Sequence, residues 1–310
     1  MTSIFENTSS PVTIHLLHDE TLTQDNREKF IRTAEKYSQE IDFIDMAEYR
    51  ESFTDEVKKF SKHLTIAAFY RTFIPQVLSN LDKVIYFDCD VVANLDISEL
   101  WNIDLENKSL GGVLDQIADE NSLPLVRTMQ LKLCGLEKKN YINSGVLLMN
   151  IKKINAGGNF FKRIINWLEH YKSFTATVDQ DAINANLAGD IKILDSRFNV
   201  WVLSRDLSNS IIHMWAGKPW KKFTGAKHEK LYWQMYFKSA WGENCTDIMD
   251  KISVVVALFT NNFANNPYLH KHGSQCVKRL LCVIPNRFKK VLEPLKLRLK
   301  YYCVKYKFSR

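Results

Sequence analysis

Several protein classes are excluded by what this sequence lacks. Its six cysteines, Cys89, Cys134, Cys245, Cys276, Cys282 and Cys303, are scattered over 310 residues without a Cys-x-x-Cys pair. Neither a disulfide framework nor a cysteine-bound zinc is expected, and a reducing compartment is the simpler setting. No apolar run is long: the most apolar stretch, 252–259, falls far short of the ~20 residues a membrane-spanning helix needs. Met1 is followed by Thr-Ser-Ile-Phe-Glu-Asn, which has neither the basic start nor the apolar segment of a secretory leader. The chain therefore reads as soluble and cytoplasmic. Repeats and low-complexity tracts are absent. Acid is nearly missing from one region, since residues 271–310 hold twelve Lys and Arg against the single Glu293.

What is there begins with a core-forming composition, 45% hydrophobic and 12% aromatic, enough for one large domain with an appendage. The formal charge of +7 belongs to the tail, because the first 270 residues carry 30 bases and 34 acids. Such a tail seeks anionic surfaces. Leu292, Leu295, Leu299, Tyr302 and Tyr306 share one helical face, the composition of an interfacial helix and the basis for expecting peripheral contact with the inner face of a membrane. The plain alternative is a last helix packed on the core with solvated lysines. Nucleic-acid binding is the lowest-ranked reading, since no recognition motif accompanies the bases.

Strand patterns at 12–17, 41–46, 84–87, 145–150, 191–194 and 211–214 alternate with helical ones. Ile66, Phe69, Phe73, Ile74 and Val77 recur at helical spacing, as do Phe160, Phe161, Ile164, Ile165, Leu168 and Tyr171. Asp179 is placed to cap a helix through Ala182, Ile183 and Leu187. The alternation predicts an α/β fold with a mostly parallel sheet, whose ligands gather beyond the carboxyl ends of the strands. After about residue 222 the texture turns aromatic and basic, which suggests a catalytic domain over 1–222 and a helical extension over 223–310.

Asp88-Cys89-Asp90 directly follows Val84-Ile85-Tyr86-Phe87, a strand apolar on both faces. Carboxylates at i and i+2 on extended backbone face one side and repel unless a cation joins them. Hard oxygen ligands suit Mg²⁺ or Mn²⁺, which commonly bridge to phosphates. Taken alone, D-x-D is more often a turn after a strand; the apolar context on both sides favours the metal.

Residues 81–92, Leu-Asp-Lys-Val-Ile-Tyr-Phe-Asp-Cys-Asp-Val-Val, closely resemble the core motif of the family 8 retaining glycosyltransferases. Further matches follow in order: Ala68-Phe69-Tyr70-Arg71, then 143–150 (Asn-Ser-Gly-Val-Leu-Leu-Met-Asn), Asp179-Gln180-Asp181, and Ile212-His213 leading to Lys218-Pro219-Trp220. The resemblance covers about residues 1–222. It implies a GT-A-like, Rossmann-related mixed sheet flanked by helices. Transfer of glucose or galactose from UDP-glucose or UDP-galactose to a glycan or glycolipid is implied too, as in lipopolysaccharide synthesis. By the same resemblance Asp88, Asp90 and His213 hold Mn²⁺, with Mg²⁺ as the second choice. Ile66, Arg71, Cys89, Asn143, Ser144, Gly217 and Lys218 join Asp88 and Asp90 around the donor, and Gln180, Asp179 and Asp115 stand at the reacting centre. The loop to Lys218 is one residue shorter than the family pattern. For His213 the plain alternative is a buried hydrogen-bonded side chain, and for Arg71 and Asp179 an ion pair or cap. Retention admits a covalent or a front-face route; an amide such as that of Gln180 is a poor nucleophile, which favours the front-face one.

Family members open with a strand and a nucleotide loop, whereas residues 1–7 resemble the end of the helix that follows. A start assigned too far downstream is the preferred account. The competing reading is a truncated, catalytically impaired paralogue that binds glycan or membrane.

Overall fold

The computed structural model describes residues 1–47, 49, 66–115, 125–171, 173–175, 177–201, 207–214, 218–219 and 227–243. The chain divides into two compact units, Ser3–His213 and Met214–Arg310. The first opens with α1 (Thr2–Asn7), β1 (Thr13–His18), α2 (Gln24–Lys36) and β2 (Glu40–Asp45). Thr23 caps α2 by accepting from the Asn26 N–H, and Asp25 and Lys36 stand at the ends where the helix dipole favours each charge. This helix carries the chain back so that β2 runs parallel to β1, from Thr13 opposite Glu40 to His18 opposite Asp45.

A 3-10 helix (Ile66–Phe73) then leads into α3 (Ile74–Val77), β3 (Lys83–Phe87), β4 (Val91–Asn94), α4 (Ser98–Trp101), β5 (Leu110–Leu114) and α5 (Leu125–Leu133). Among the described residues this unit continues with a 3-10 turn (Lys138–Asn140), β6 (Ile142–Asn150), α6 (Ile151–Ala156), α7 (Phe160–Tyr171), α8 (Asp179–Asn186), β7 (Ile191–Leu194), a second 3-10 turn (Ser196–Asn199) and β8 (Ser210–His213). The strands pair in three groups, β1-β2, β3-β6-β5-β7 and β4-β8.

Strand β3 is apolar on both faces because it separates two cores. Val84 and Tyr86 join the cluster formed with Phe69, Phe73, Ile164 and Leu168. Ile85 and Phe87 turn to the opposite cluster, with Phe5, Ala93, Leu100 and Ile211. Strand β6 alternates in the same way, Leu147 and Met149 to one core and Val146 and Leu148 to the other. Each of these four β6 side chains is at most 1% exposed. Full burial of such a side chain is worth about 1.5–3 kcal/mol, which makes β6 the anchor on which the neighbouring strands are registered.

The mixed α/β sheet is the one expected, although its parallel share is smaller than the strand–helix alternation suggests. Among the described residues β1–β2 and β5–β7 are parallel, while β3–β6, β5–β6 and β4–β8 are antiparallel. Two expectations about helices change. The periodic segment from Ile66 winds as a 3-10 helix before α3 begins at Ile74, with Pro75 in its first turn, and a tight i to i+3 turn keeps nearly the same apolar face as an α-helix. Asp179 is the first residue of α8 and not its cap, which is Val178.

The second unit contributes α9 (Lys227–Lys238), with His228, Glu229 and Phe237 buried. The aliphatic row expected at 292–306 lies outside the described residues. Among the described residues no helix is long and apolar enough to cross a membrane.

Candidate active site

Three pieces of backbone bring Asp88, Asp90 and His213 together. The ladder of β3 on β6 continues one residue past the strand, where the Asp88 N–H donates to the Gly145 carbonyl at 2.8 Å. The chain turns through Cys89 and Asp90 into β4, whose Val91 lies opposite His213 at the end of β8. His213 is fixed further by its own N–H, which donates to the Val200 carbonyl at 2.9 Å. The imidazole Nε2 then stands 3.2 Å from Asp90 Oδ1 and 3.5 Å from Asp88 Oδ2. Gly145 leaves the ring its place, since a Cβ there would lie 2.3 Å from His213 Cε1.

Arg71, on the 3-10 helix, is the buried cation of the site. Its Nη2 contacts Asp88 Oδ1 at 2.9 Å, and its Nη1 donates to the Ser144 carbonyl at 2.8 Å and to Ser144 Oγ at 2.9 Å. Its Nε lies 3.2 Å from Asp179 Oδ2, an ion-pair contact without the geometry of a hydrogen bond. The Tyr86 ring backs the guanidinium at 4.9 Å, and the Tyr86 hydroxyl donates to Asp88 Oδ1 at 2.6 Å. Burial opposes the charge of Arg71, but Tyr86, Asp179 and Asp88 outweigh it and hold its pKa above the ordinary arginine value. Burial raises the pKa of Asp179, against the pull of Arg71.

The Gln180 amide is oriented without ambiguity. Its Oε1 accepts from the Ser144 N–H at 3.0 Å and from Ser144 Oγ at 3.3 Å. Its Nε2 donates to Asp115 Oδ2 at 2.8 Å and to the Tyr141 hydroxyl at 3.0 Å. A backbone N–H can only donate and a carboxylate can only accept, so a flipped amide would break both ends. Behind it the Tyr141 hydroxyl donates to Asp181 Oδ1 at 2.5 Å, and Arg127 grips Asp181 at 2.6 and 3.2 Å. Burial alone would raise the Asp181 pKa; Arg127, Tyr141 and Thr177 outweigh it and hold the carboxyl below its usual range. Val178, just before this segment, is held at φ 31°. That is a strained backbone for a β-branched residue, of a kind that clusters at functional sites.

Residues 1–224, which include every group just described, match the family described as glycosyl transferase family 8. This chain belongs to glycosyl transferase family 8. A putative glycosyltransferase of Haemophilus influenzae is 31% identical over 205 residues, 66% of this chain and 59% of that protein. A lipopolysaccharide 1,2-glucosyltransferase of Escherichia coli is 27% identical over 57% of this chain, and the match spans 56% of its length. Among solved structures, galactosyltransferase LgtC in complex with donor and acceptor sugar analogs overlays with a TM-score of 0.59 at 22% identity. That overlay covers 72% of this chain and 95% of LgtC, a likeness that bears on the fold, which is GT-A-like.

In this family 8 chain most of the residues singled out from sequence fall into two adjoining groups. The structure gathers Asp88, Asp90 and His213 at one point, and Arg71, Ser144, Asp179, Gln180 and Asp115 into one connected network beside it. Asn143 borders both, with its Oδ1 accepting from the Gly145 N–H at 2.9 Å and from Asn199 Nδ2 at 2.8 Å. Ile66 opens the 3-10 helix and packs on the first core, and Cys89 is exposed between the two acids. Lys218 belongs to the second unit, and Gly217 lies outside the described residues. Tyr86, Tyr141 and Gly145, not singled out from sequence as site residues, position Asp88, Gln180 and His213 respectively, and Arg127 acts one step further out, through Asp181 and Tyr141.

The donor set suits a metal. Among the described residues, one ligand atom from each of Asp88, Asp90 and His213 lies within 4.8 Å of the other two. His213 Nδ1 is buried without a hydrogen-bond partner among the described residues, so the ring's polar contacts fall on Nε2, the side facing the acids. Two carboxylates and one imidazole fit Mn²⁺ or Mg²⁺ and leave coordination positions open.

Proposed function

We propose that this protein is a retaining hexosyltransferase. It takes glucose or galactose from the corresponding UDP-sugar to a glycan or glycolipid acceptor of the bacterial cell surface, such as a lipopolysaccharide precursor. The observation that carries this reading is the convergence of Asp88, Asp90 and His213 directly beside the Arg71–Asp179–Gln180 network. Family membership and the lipopolysaccharide 1,2-glucosyltransferase relative support the substrate class. The basic tail at 271–310 suits an acceptor carried by an anionic membrane surface.

Asp88, Asp90 and His213 would hold Mn²⁺ or Mg²⁺, which when bound supplies positive charge to a leaving diphosphate. The protein's own groups do the rest. Arg71 is held by two acids and by the Ala68 and Ser144 carbonyls, which leaves it little freedom to reorganise as charge shifts. Asp179 and Asp115, both buried, would accept hydrogen bonds from donor-sugar hydroxyls. A site built to bond a hydroxyl rejects sugars that lack it. Gln180 offers a fixed amide dipole and not a nucleophile. We favour the front-face route on that ground: the bond from the anomeric carbon to the phosphate oxygen breaks, the acceptor oxygen bonds to the same face, and its proton leaves with the diphosphate. Ile66 and Cys89 would contact the donor.

Calorimetric titration of UDP into the purified chain, with and without Mn²⁺, tests this. Binding is expected to require Mn²⁺ and to be lost in Asp88→Ala. UDP binding by folded protein that is indifferent to both would overturn the metal–diphosphate site, and release of UDP from neither UDP-glucose nor UDP-galactose would overturn the donor.

A further inference from the structure

The two oxygens of Asp88 are not equivalent. Oδ1 takes the Tyr86 hydroxyl at 2.6 Å and Arg71 Nη2 at 2.9 Å, whereas Oδ2 is the oxygen turned to His213 Nε2 at 3.5 Å. One face of the carboxylate is thus occupied by two donors and the other is presented to the Asp90–His213 side. Tyr86 is suited to this because it projects from β3 two residues before Asp88, on the same face of extended chain. Its ring is wedged under the Arg71 guanidinium at 4.9 Å, so the hydroxyl cannot swing away without dislodging the cation. Arg71 shares Oδ1 while also engaging Asp179 and Ser144.

We propose that Tyr86 is a positioning residue that makes Asp88 a one-oxygen metal ligand and thereby favours small octahedral ions over Ca²⁺. The inference rests on the metal reading of Asp88, Asp90 and His213. Mn²⁺ and Mg²⁺ accept six donors in a regular octahedron, which a carboxylate held by one oxygen satisfies. Ca²⁺ takes six to eight oxygens and readily uses a carboxylate through both. With Oδ1 tied down, two-oxygen chelation by Asp88 is closed. Without the phenol hydroxyl Oδ1 is left with the Arg71 contact, and the carboxylate is held less firmly against rotation toward the ion.

The test is Tyr86→Phe, which keeps the ring beneath Arg71 and removes the one hydroxyl. Mn²⁺ and Ca²⁺ are titrated separately into wild type and variant, with bound Mn²⁺ read by electron paramagnetic resonance and Ca²⁺ by competition. Tyr37→Phe serves as a control, because it deletes a phenol hydroxyl that is likewise hydrogen-bonded to a carboxylate, Glu6, away from the site. Second-sphere groups of metal sites typically govern affinity by about 10–100-fold. Tyr86→Phe is therefore expected to weaken Mn²⁺ by about 10-fold or more and Ca²⁺ by less, so that the preference for Mn²⁺ narrows, while Tyr37→Phe changes neither. An unchanged Mn²⁺ affinity in folded Tyr86→Phe would overturn the inference alone. Equal weakening of both ions would do the same by reducing Tyr86 to a packing residue. Wild-type protein that binds neither ion would overturn the metal reading and this inference with it.

Discussion

Gly145→Ala is a small change in the heart of β6 whose consequence is computable from geometry. The added Cβ would stand 2.3 Å from His213 Cε1 and 2.5 Å from Nδ1, where ordinary contact begins at 3.4 Å. The ring must retreat by about 1 Å, a displacement large enough in a catalytic constellation to cost on the order of 100-fold. Retreat is resisted on every side. The His213 side chain is 4% exposed, and its backbone is fixed opposite Val91 and by the Val200 carbonyl. Overpacking of this kind costs about 1–3 kcal/mol of stability. Gly145→Ala is therefore expected to melt earlier and to bind Mn²⁺ about 10–100-fold more weakly, by analogy with other disturbed ligand shells. A double-mutant cycle isolates the cause. In a His213→Ala background the space is empty, so the melting penalty of Gly145→Ala should largely disappear. A folded Gly145→Ala protein with wild-type Mn²⁺ affinity, or an undiminished penalty in the His213→Ala background, would refute the reasoning.

Arg127→Leu strands Asp181, whose side chain is fully buried, and is expected to cost about 3–5 kcal/mol in denaturant unfolding. Asp181 also gives a signed pH dependence. Its folded pKa is lowered by Arg127, Tyr141 and Thr177, so the ionised form favours the fold. That contribution is present above the ordinary aspartate value of about 3.9 and is lost as pH falls through the lower folded value. The stability gap between wild type and Asp181→Asn, followed by thermal melts across the acid range, should narrow below about pH 4; a gap that widens there would contradict the assignment.

How much of this was legible in the sequence depends on where each residue's environment is set. Strand β3 and the acids after it were legible because a doubly apolar strand and an acidic pair are both local signals. Strands β4 and β5 were not. Val91-Val92-Ala93-Asn94 is only four residues long, and Leu110-Gly-Gly-Val-Leu carries two glycines that weaken any strand pattern. Their pairing partners, β8 and β6, are far away in sequence, so the ladders that define them are tertiary. The same holds at the site. Asp88, Arg71 and Gln180 could be picked out by motif, whereas Tyr86 was hidden inside an apolar run and Arg127 reaches Asp181 across 54 positions. A phenol counts as hydrophobic in any periodicity reading, and only its partner reveals that its hydroxyl has a task.

The two polar networks differ in what they leave unfinished, and the difference bears on which of them works on substrate. Around Asp181, the carboxylate is matched by Arg127, Tyr141 and Thr177, and its pKa falls. Such an arrangement is closed and holds its neighbours still. Around Arg71, one guanidinium faces two carboxylates, Asp88 and Asp179. The second is met at a distance but not in hydrogen-bonding geometry, and burial raises its pKa. His213 Nε2 adds contacts to Asp88 and Asp90 that are attractive only when the ring carries a proton there. A buried carboxylate without full pairing is costly, and a protein keeping two carboxylates on one cation, Asp179 buried among them, gives up stability that a divalent ion or a ligand's hydroxyls would restore. Under the proposed function the closed network would act as the frame, with Tyr141 carrying its rigidity to Gln180, and the open one as the surface that donor and metal would complete. On that division, losses in the frame should appear first in unfolding, and losses at Tyr86, Asp88 or His213 first in metal binding.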